Sequence, residues 1–367
     1  MKIILFNGYD VWGGGEKWNF EVAQKLLSAG HEVVFIGPAN GELFKRFDKL
    51  KATQPHLDTL EFPITDKTYL NLVKQMVFWQ LLNQINADAF VFNSYRDVRA
   101  VGWAVGCSQI KKRILRVGTP HAPKNKWSYR LTFKNGINTF VGISEDCIEA
   151  FRKTVPEFLE GKTIAKITNG IKLDEFVPVK KEIGETFIFG NCCRLTDQKG
   201  LSLFLQAMKI LVDQGHKVKA IIAGDGEDKA KLLKERGELG LDSIVEFTGH
   251  IEKTAEFYPQ IDALLFTSYF EGTARTILES YACARPVIAF KASSMAEMVN
   301  DGVDGYFAEA FSVSDLAKKA ALMISDKKKV LEMGQAGRAK VERDFSSDAT
   351  YAQWAVSYTH LTLPTKA

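Results

Sequence analysis

Lys2-Ile3-Ile4-Leu5-Phe6-Asn7-Gly8-Tyr9-Asp10-Val11-Trp12-Gly13-Gly14-Gly15-Glu16 runs from an apolar segment through a loop into three glycines and the start of a helical period. Lys2–Phe6 reads as a buried first strand, too short and too quickly broken for a secretory signal. Amphipathic periodicity then covers Glu16–Ser28. Strand, glycine loop and helix in that order make the first unit of a doubly wound sheet.

The alternation continues along the chain. Further strands are predicted at Glu32–Ile36, Ala89–Asn93, Lys112–Arg116, Thr139–Ile143 and Ile164–Ile167, then at Thr186–Asn191, Val218–Ala223, Val245–Thr248, Ala263–Thr267 and Pro286–Ala289. Most are near-continuous apolar runs, as in parallel sheets covered on both faces. Helical periods recur at Leu201–Gln214, Thr276–Ala284 and Val313–Ser325. The class is therefore α/β with two doubly wound domains, and 367 residues suit two domains of ordinary size. Phe176-Val177-Pro178 leads into a charged, glycine-containing stretch, so the boundary is expected within Asp174–Glu185. The expected domains are 1–176 and 177–345, followed by a helix at 346–355 packing back toward the first. Residues 356–367 lack a period and read as a non-native tail. Ligands of such sheets bind at strand carboxyl ends, which places the site in an interdomain cleft.

Composition narrows the function. Hydrophobic residues make up 46% and charged residues 25%, a globular balance. No apolar run approaches the roughly 18 residues that span a bilayer. The five cysteines show no C-x-x-C spacing, so they are expected as small buried hydrophobes in a reducing cytoplasm. Net charge is +4, but residues 1–180 hold 25 Lys and Arg against 18 Asp and Glu, while the remainder holds 23 against 26. From Val98 to Ser144 there is no carboxylate among nine cations, with Trp127, Tyr129 and Phe133 interleaved. A field of that sign attracts phosphates, an anionic glycolipid or an anionic membrane face, with Lys124, Lys126, Trp127 and Arg130 as candidate contacts. It is too modest and too polarised for nucleic acid.

Three constellations carry chemistry. Gly13-Gly14-Gly15-Glu16 lets backbone amides approach a diphosphate at a helix start. It is not G-x-G-x-x-G, and no acidic residue ends the second strand in the dinucleotide manner, which disfavours NAD. Arg194 and Lys199, in Arg194-Leu195-Thr196-Asp197-Gln198-Lys199-Gly200, place two cations on a strand-to-helix loop. Ser268-Tyr269-Phe270-Glu271-Gly272-Thr273-Ala274-Arg275-Thr276-Ile277-Leu278-Glu279 follows a strand and enters a helix, with amides at Gly272–Ala274 facing an anion. Its two carboxylates, at most about 12 Å apart if helical, suit two separate polyols. Arg275 contacts an anionic ligand or faces solvent.

The set of Glu271-x₇-Glu279, Arg194…Lys199-Gly200, Thr168-Asn169-Gly170-Ile171 and Gly13-Gly14-Gly15-Glu16 resembles the signature of retaining glycosyltransferases of family 4. Within that family it looks most like enzymes that build bacterial lipopolysaccharide or other surface glycans. The resemblance runs from Ile3 to about Trp354 and implies GT-B architecture, two Rossmann-like domains facing across a cleft. It implies that Glu271 binds donor-sugar hydroxyls, Glu279 holds the ribose, and Arg194 and Lys199 neutralise the diphosphate. The amides of Gly14, Gly15, Thr273 and Ala274 complete the cradle. By the same likeness His121 lies near donor sugar and acceptor, and Gly224-Asp225-Gly226 and Ile251 line the base. Two departures stand out: Thr273-Ala274-Arg275-Thr276 replaces a Phe-Gly-Leu-Pro common in relatives, and Ala284 replaces a glycine, expected as a small packing change.

No D-x-D motif follows a strand and no metal-ligand cluster is apparent, so the expectation is metal-independent transfer with retention and no cofactor beyond the nucleotide-sugar co-substrate. The carboxylates would bind rather than act as a glycosidase pair. A nucleotide-sugar 2-epimerase and a non-catalytic nucleotide-sugar-binding protein are the alternatives; acceptor-dependent release of nucleoside diphosphate separates the first from a transferase, and tight donor binding without turnover would mark the second. The expected location is the cytoplasm, peripheral on the inner membrane face.

Overall fold

The computed structural model describes residues 1–10, 13–65, 67–292 and 295–359. The chain forms two compact units. One comprises Met1–Thr168 and the segment from Tyr351 onward; the other is Asn169–Thr350.

The first unit is a sheet of seven parallel strands: β1 (Lys2–Phe6), β2 (Glu32–Gly37), β3 (Leu57–Glu61), β4 (Ala89–Phe92), β5 (Lys112–Val117), β6 (Thr139–Gly142) and β7 (Thr163–Lys166), in the order β3-β2-β1-β4-β5-β6-β7. Alternate residues of β1 bury on opposite faces, Ile4 and Phe6 in one core and Ile3 and Leu5 in the other. Burial on both sides is why the interior strands read as unbroken apolar runs.

The second unit holds six parallel strands: β8 (Phe187–Cys192), β9 (Val218–Ala223), β10 (Val245–Gly249), β11 (Ala263–Phe266), β12 (Val287–Phe290) and β13 (Gly305–Ala308), ordered β10-β9-β8-β11-β12-β13. Ala263 and Leu265 of β11 face one core, Leu264 and Phe266 the other. Strand order reverses between β1 and β4 in the first sheet and between β8 and β11 in the second. Crevices at such reversals are where doubly wound sheets bind ligands.

The division falls at Thr168/Asn169, upstream of the expected Asp174–Glu185, because Ile171 and Phe176 already belong to the second unit's core. Gly170 explains its place in the signature. A Cβ there would lie 2.2 Å from the Thr350 hydroxyl and 2.7 Å from Ser347 Cα. Ile171 N–H donates to the Phe345 carbonyl at 2.9 Å, and Ser347 N–H to the Ile171 carbonyl at 2.8 Å. The final helix, Ser347–Thr359, is longer than the sequence period suggested, and its Trp354 ring packs 4.8 Å from Trp18 in the first unit. Residues 360–367 of the expected non-native tail lie outside the described residues.

Ala284 corrects an expectation. It sits at φ +55°, in the left-handed region, so the missing glycine costs backbone strain rather than packing. The cysteines are all free, and the thiols of Cys192, Cys193 and Cys283 are each pushed up to about 12, by burial first. Cys107 departs from the expected pattern, being exposed.

Candidate functional site

Apart from Glu279, the predicted groups of the second half lie at the carboxyl ends of β9, β8 and β11 and in the loop after β10. Arg194 and Lys199 leave β8, Gly224 leaves β9, Ile251 follows β10, and Glu271–Ala274 follow β11. Gly224 has φ +138°, and a Cβ there would fall 1.8 Å from the Cys193 carbonyl oxygen. Only glycine lets the β9 loop pass so close to the β8 loop. Ile251 is half-buried against the same core.

The loops after β8 and β11 are welded together. Gly200, at φ +60°, leaves no room for a side chain: its Cβ would lie 2.2 Å from the Thr267 carbonyl oxygen. Thr267 Oγ1 donates to the Lys199 carbonyl at 2.9 Å, Gln198 Nε2 to the Phe270 carbonyl at 2.9 Å, and Thr276 Oγ1 to the Cys192 carbonyl at 3.2 Å. Lys199 and Glu271, 72 residues apart in sequence, are thereby fixed as a pair, with Nζ to Oε1 2.5 Å and both side chains mostly buried.

Glu279 lies on the helix Arg275–Ala282 and is buried. Arg275 Nε donates to its Oε1 at 3.1 Å, and the buried Tyr258 O–H donates to its Oε2 at 2.7 Å. Burial first, then the Glu279 charge, raises the Tyr258 phenol well above its ordinary value, so it stays a proton donor. Arg275 was expected at an anionic ligand or in solvent; it instead pairs four residues along its own helix. Tyr258 was not foreseen, and nothing in its surroundings in sequence marks it. The helix is held from behind by Tyr281, whose hydroxyl donates to Asp304 at 2.6 Å, while Lys340 pairs with Asp304 at 3.0 Å.

The chemistry on offer is anion binding beside two carboxylates. Arg194 is exposed, and among the described residues its guanidinium has no ion pair. The amides of Gly272, Thr273 and Ala274, just ahead of the helix, donate to no other group among the described residues. Ser268 Oγ and Thr273 Oγ1 are buried there without a partner, as expected where a ligand completes the hydrogen bonding.

Gly14, Gly15 and His121 belong to the first unit. Gly13 caps the helix Gly14–Ser28, with Lys17 N–H donating to its carbonyl at 2.9 Å. Gly14 faces open space, whereas a Cβ on Gly15 would meet Asn93 at 2.9 Å. His121 is exposed on the loop after β5. The residues Lys124, Lys126 and Trp127 are also exposed, and Arg130 Nε donates to Asn125 at 2.7 Å. The basic stretch is not one surface: Lys112 and Arg116 are buried, Arg116 stacking on Trp18 at 4.4 Å, and Tyr129 and Phe133 are core.

At the β1/β4 reversal lies a cavity of about 360 Å³, lined among others by Tyr9, Arg96, Asp97, Arg99 and Tyr129. Asp97 is fully buried, accepts the Gly8 N–H at 3.2 Å, and is pushed up to about 8 by burial first, with Glu16 adding to the shift. Arg99 lies between the Tyr69 and Tyr129 rings, 4.2 and 5.2 Å from their centroids.

Two family models match successive parts of the chain: Glycosyltransferase Family 4 over residues 12–175 and Glycosyl transferases group 1 over 174–340. Each unit thus matches one of two glycosyltransferase models, and the pair of parallel sheets has the GT-B fold. A capsular polysaccharide biosynthesis glycosyltransferase of Staphylococcus aureus is 25% identical over 52% of this chain and 53% of its own length. The chain spans about half the length of the curated relatives it matches. Solved structures with the same fold include an Anabaena protein in complex with UDP, with TM-score 0.79 and 19% identity over 97% of this chain and 98% of that one. Another is a lipopolysaccharide outer core galactosyltransferase, with TM-score 0.76 and 17% identity over 97% of this chain and 98% of that one. In this chain, the Lys199–Glu271 and Arg275–Glu279 pairs flank the amides that open the helix after β11.

Proposed function

We propose that the chain is a retaining, metal-independent transferase that moves a hexose-type sugar from a nucleoside-diphosphate donor to a glycan or glycolipid acceptor in bacterial surface polysaccharide or lipopolysaccharide synthesis. The observation that carries this reading is the pair of anchored carboxylates, Glu271 held by Lys199 and Glu279 held by Arg275 and Tyr258, beside unpartnered amides at the β8/β11 reversal. The likeness to a capsular enzyme, to a UDP complex and to a lipopolysaccharide galactosyltransferase supports the substrate class.

Each carboxylate oxygen has two acceptor sites, so Glu279 can take ribose hydroxyls while keeping Arg275 and Tyr258. Glu271 takes sugar hydroxyls in the same way, and the three donors of the Lys199 ammonium span Glu271 and the diphosphate. Arg194 and the Gly272–Ala274 amides supply the remaining positive field, the role a divalent cation would otherwise fill. In the transfer, the anomeric carbon–phosphate oxygen bond breaks and the acceptor oxygen bonds on the same face. The acceptor proton passes to the departing phosphate oxygen. Glu271, already paired with a cation, binds rather than attacks.

The acceptor is assigned to the N-terminal unit, where Arg96 and Arg99 suit an anionic group and His121 suits a sugar hydroxyl. Proton NMR of the product tests the reading: the anomeric configuration of the donor must be retained and turnover must survive excess EDTA. An inverted linkage, or loss of turnover restored by magnesium, overturns it.

A further inference from the structure

The helix Leu72–Ile85 is seated on the N-terminal unit with apolar residues on both its faces. Its inward residues are Gln75, Phe78 and Leu82. Gln75 is satisfied there: its Nε2 donates to the carbonyls of Thr68 at 3.2 Å and Ala100 at 2.6 Å, and its Oε1 accepts the Ala104 N–H at 3.3 Å. Its outward residues are Leu72, Val73, Met76 and Val77, exposed by 69, 71, 54 and 52%. Their i, i+1, i+4, i+5 spacing puts them on one face. Four aliphatics facing solvent on one helix face depart from the pattern that water favours, a violation that proteins keep at sites of interaction.

The surroundings name the partner. Trp79 and Trp103 are partly exposed and Trp127 is 64% exposed, the last packing edge-on against Tyr69 at 6.0 Å. Trp103 and Trp127 stand on the helices Tyr95–Cys107 and Trp127–Gly136, which pack in succession beside Leu72–Ile85. Rings of this kind settle at the headgroup level of a bilayer. Between Lys67 and Gly136 the only carboxylates are Asp88 and Asp97, and Asp97 is buried, whereas Lys67, Lys124, Lys126 and Lys134 are exposed. A twofold contact between two copies would set these lysines against one another. No helix among the described residues is long and apolar enough to cross a membrane.

We propose that this face docks on an anionic bilayer, with Leu72, Val73, Met76 and Val77 at the headgroup–acyl boundary and the lysines over the headgroups. The proposal goes beyond the transferase reading and is independent of the donor site. The test is co-sedimentation of the full chain with phosphatidylcholine vesicles, with and without phosphatidylglycerol, for the wild type and the quadruple variant L72Q/V73Q/M76Q/V77Q. The variant changes only exposed positions, and its circular dichroism checks the fold. Expected are preferential partition of the wild type onto the anionic vesicles, weakened by salt, and a loss of about tenfold or more in the variant. No wild-type partition, or equal partition of a folded variant, overturns the proposal. So does light scattering without lipid that shows a dimer which the variant converts to monomer, because the face then belongs to a second copy.

Discussion

Lys199 Nζ rests 2.5 Å from Glu271 Oε1, joining the loop after β8 to the loop after β11 across 72 residues of sequence. Substituting Lys199 with Met leaves Glu271 mostly buried without this cation and, on the proposed function, withdraws one of two cations from the diphosphate. The expected loss in kcat/KM is about a hundredfold or more, on the scale of charge-assisted contacts to a leaving group. Steady-state kinetics with the cognate donor checks it, and Lys199→Arg should recover part of the loss.

Tyr258 and Glu279 make a second testable pair. The Tyr258→Phe change removes the hydroxyl that fixes Glu279 Oε2. A buried hydrogen bond to a charged group contributes about 1.5–3 kcal/mol, so the C-terminal unit should lose stability of that order. Nucleoside-diphosphate affinity should fall several-fold with kcat little changed. Chemical denaturation and calorimetry measure the two effects separately.

Much of this was legible in the sequence because parallel interior strands bury both faces. Ile3–Phe6 or Ala263–Phe266 can be nothing but strand once helices follow them at regular intervals. The strands that escaped notice are edges: β3, Leu57-Asp58-Thr59-Leu60-Glu61, alternates with charge, and β13 is four residues opening on glycine. The helix Leu72–Ile85 escaped because it is apolar outward as well as inward, which leaves no stripe. In the site, Glu271, Glu279 and Lys199 stand out in sequence as charged residues on or just after strand-to-helix loops, and the roles expected of them come from the family resemblance. The four-residue step from Arg275 to Glu279 was an available signal of pairing. Tyr258 and Asp97 had no such signal, since only the tertiary fold brings the one to Glu279 and buries the other beside Gly8.

Asp97 predicts a pH dependence. Its carboxyl titrates at about 8 in the folded unit, held up chiefly by burial, against about 3.9 in an unfolded chain. Between those values the folded state binds a proton that the unfolded state does not. Stability therefore falls as pH rises through that window, by on the order of 1 kcal/mol per pH unit while only this group differs. Urea unfolding from pH 5 to pH 8 should show the decline in the wild type and a flatter profile in Asp97→Asn.

Ala284 offers a gain. At φ +55° it occupies a conformation that costs an alanine about 1–2 kcal/mol. Ala284→Gly removes that strain and gives back about 0.5–1 kcal/mol through the freer unfolded chain. A net stabilisation of up to about 1 kcal/mol is expected, read as a higher midpoint in urea. Ala284→Val, β-branched at a positive φ, should destabilise.

The central claim is that Glu279 and Glu271 are two clamps, one on the nucleotide and one on the sugar. Titration calorimetry with the nucleoside diphosphate selected from UDP, GDP and ADP tests it most directly, on the wild type, Glu279→Gln and Glu271→Gln. The account predicts at least about tenfold weaker binding in Glu279→Gln, from loss of charge-assisted hydrogen bonds. In Glu271→Gln it predicts affinity within about twofold of the wild type, alongside a large fall in transfer. Equal weakening in both variants, or undiminished nucleotide binding in Glu279→Gln, would contradict it.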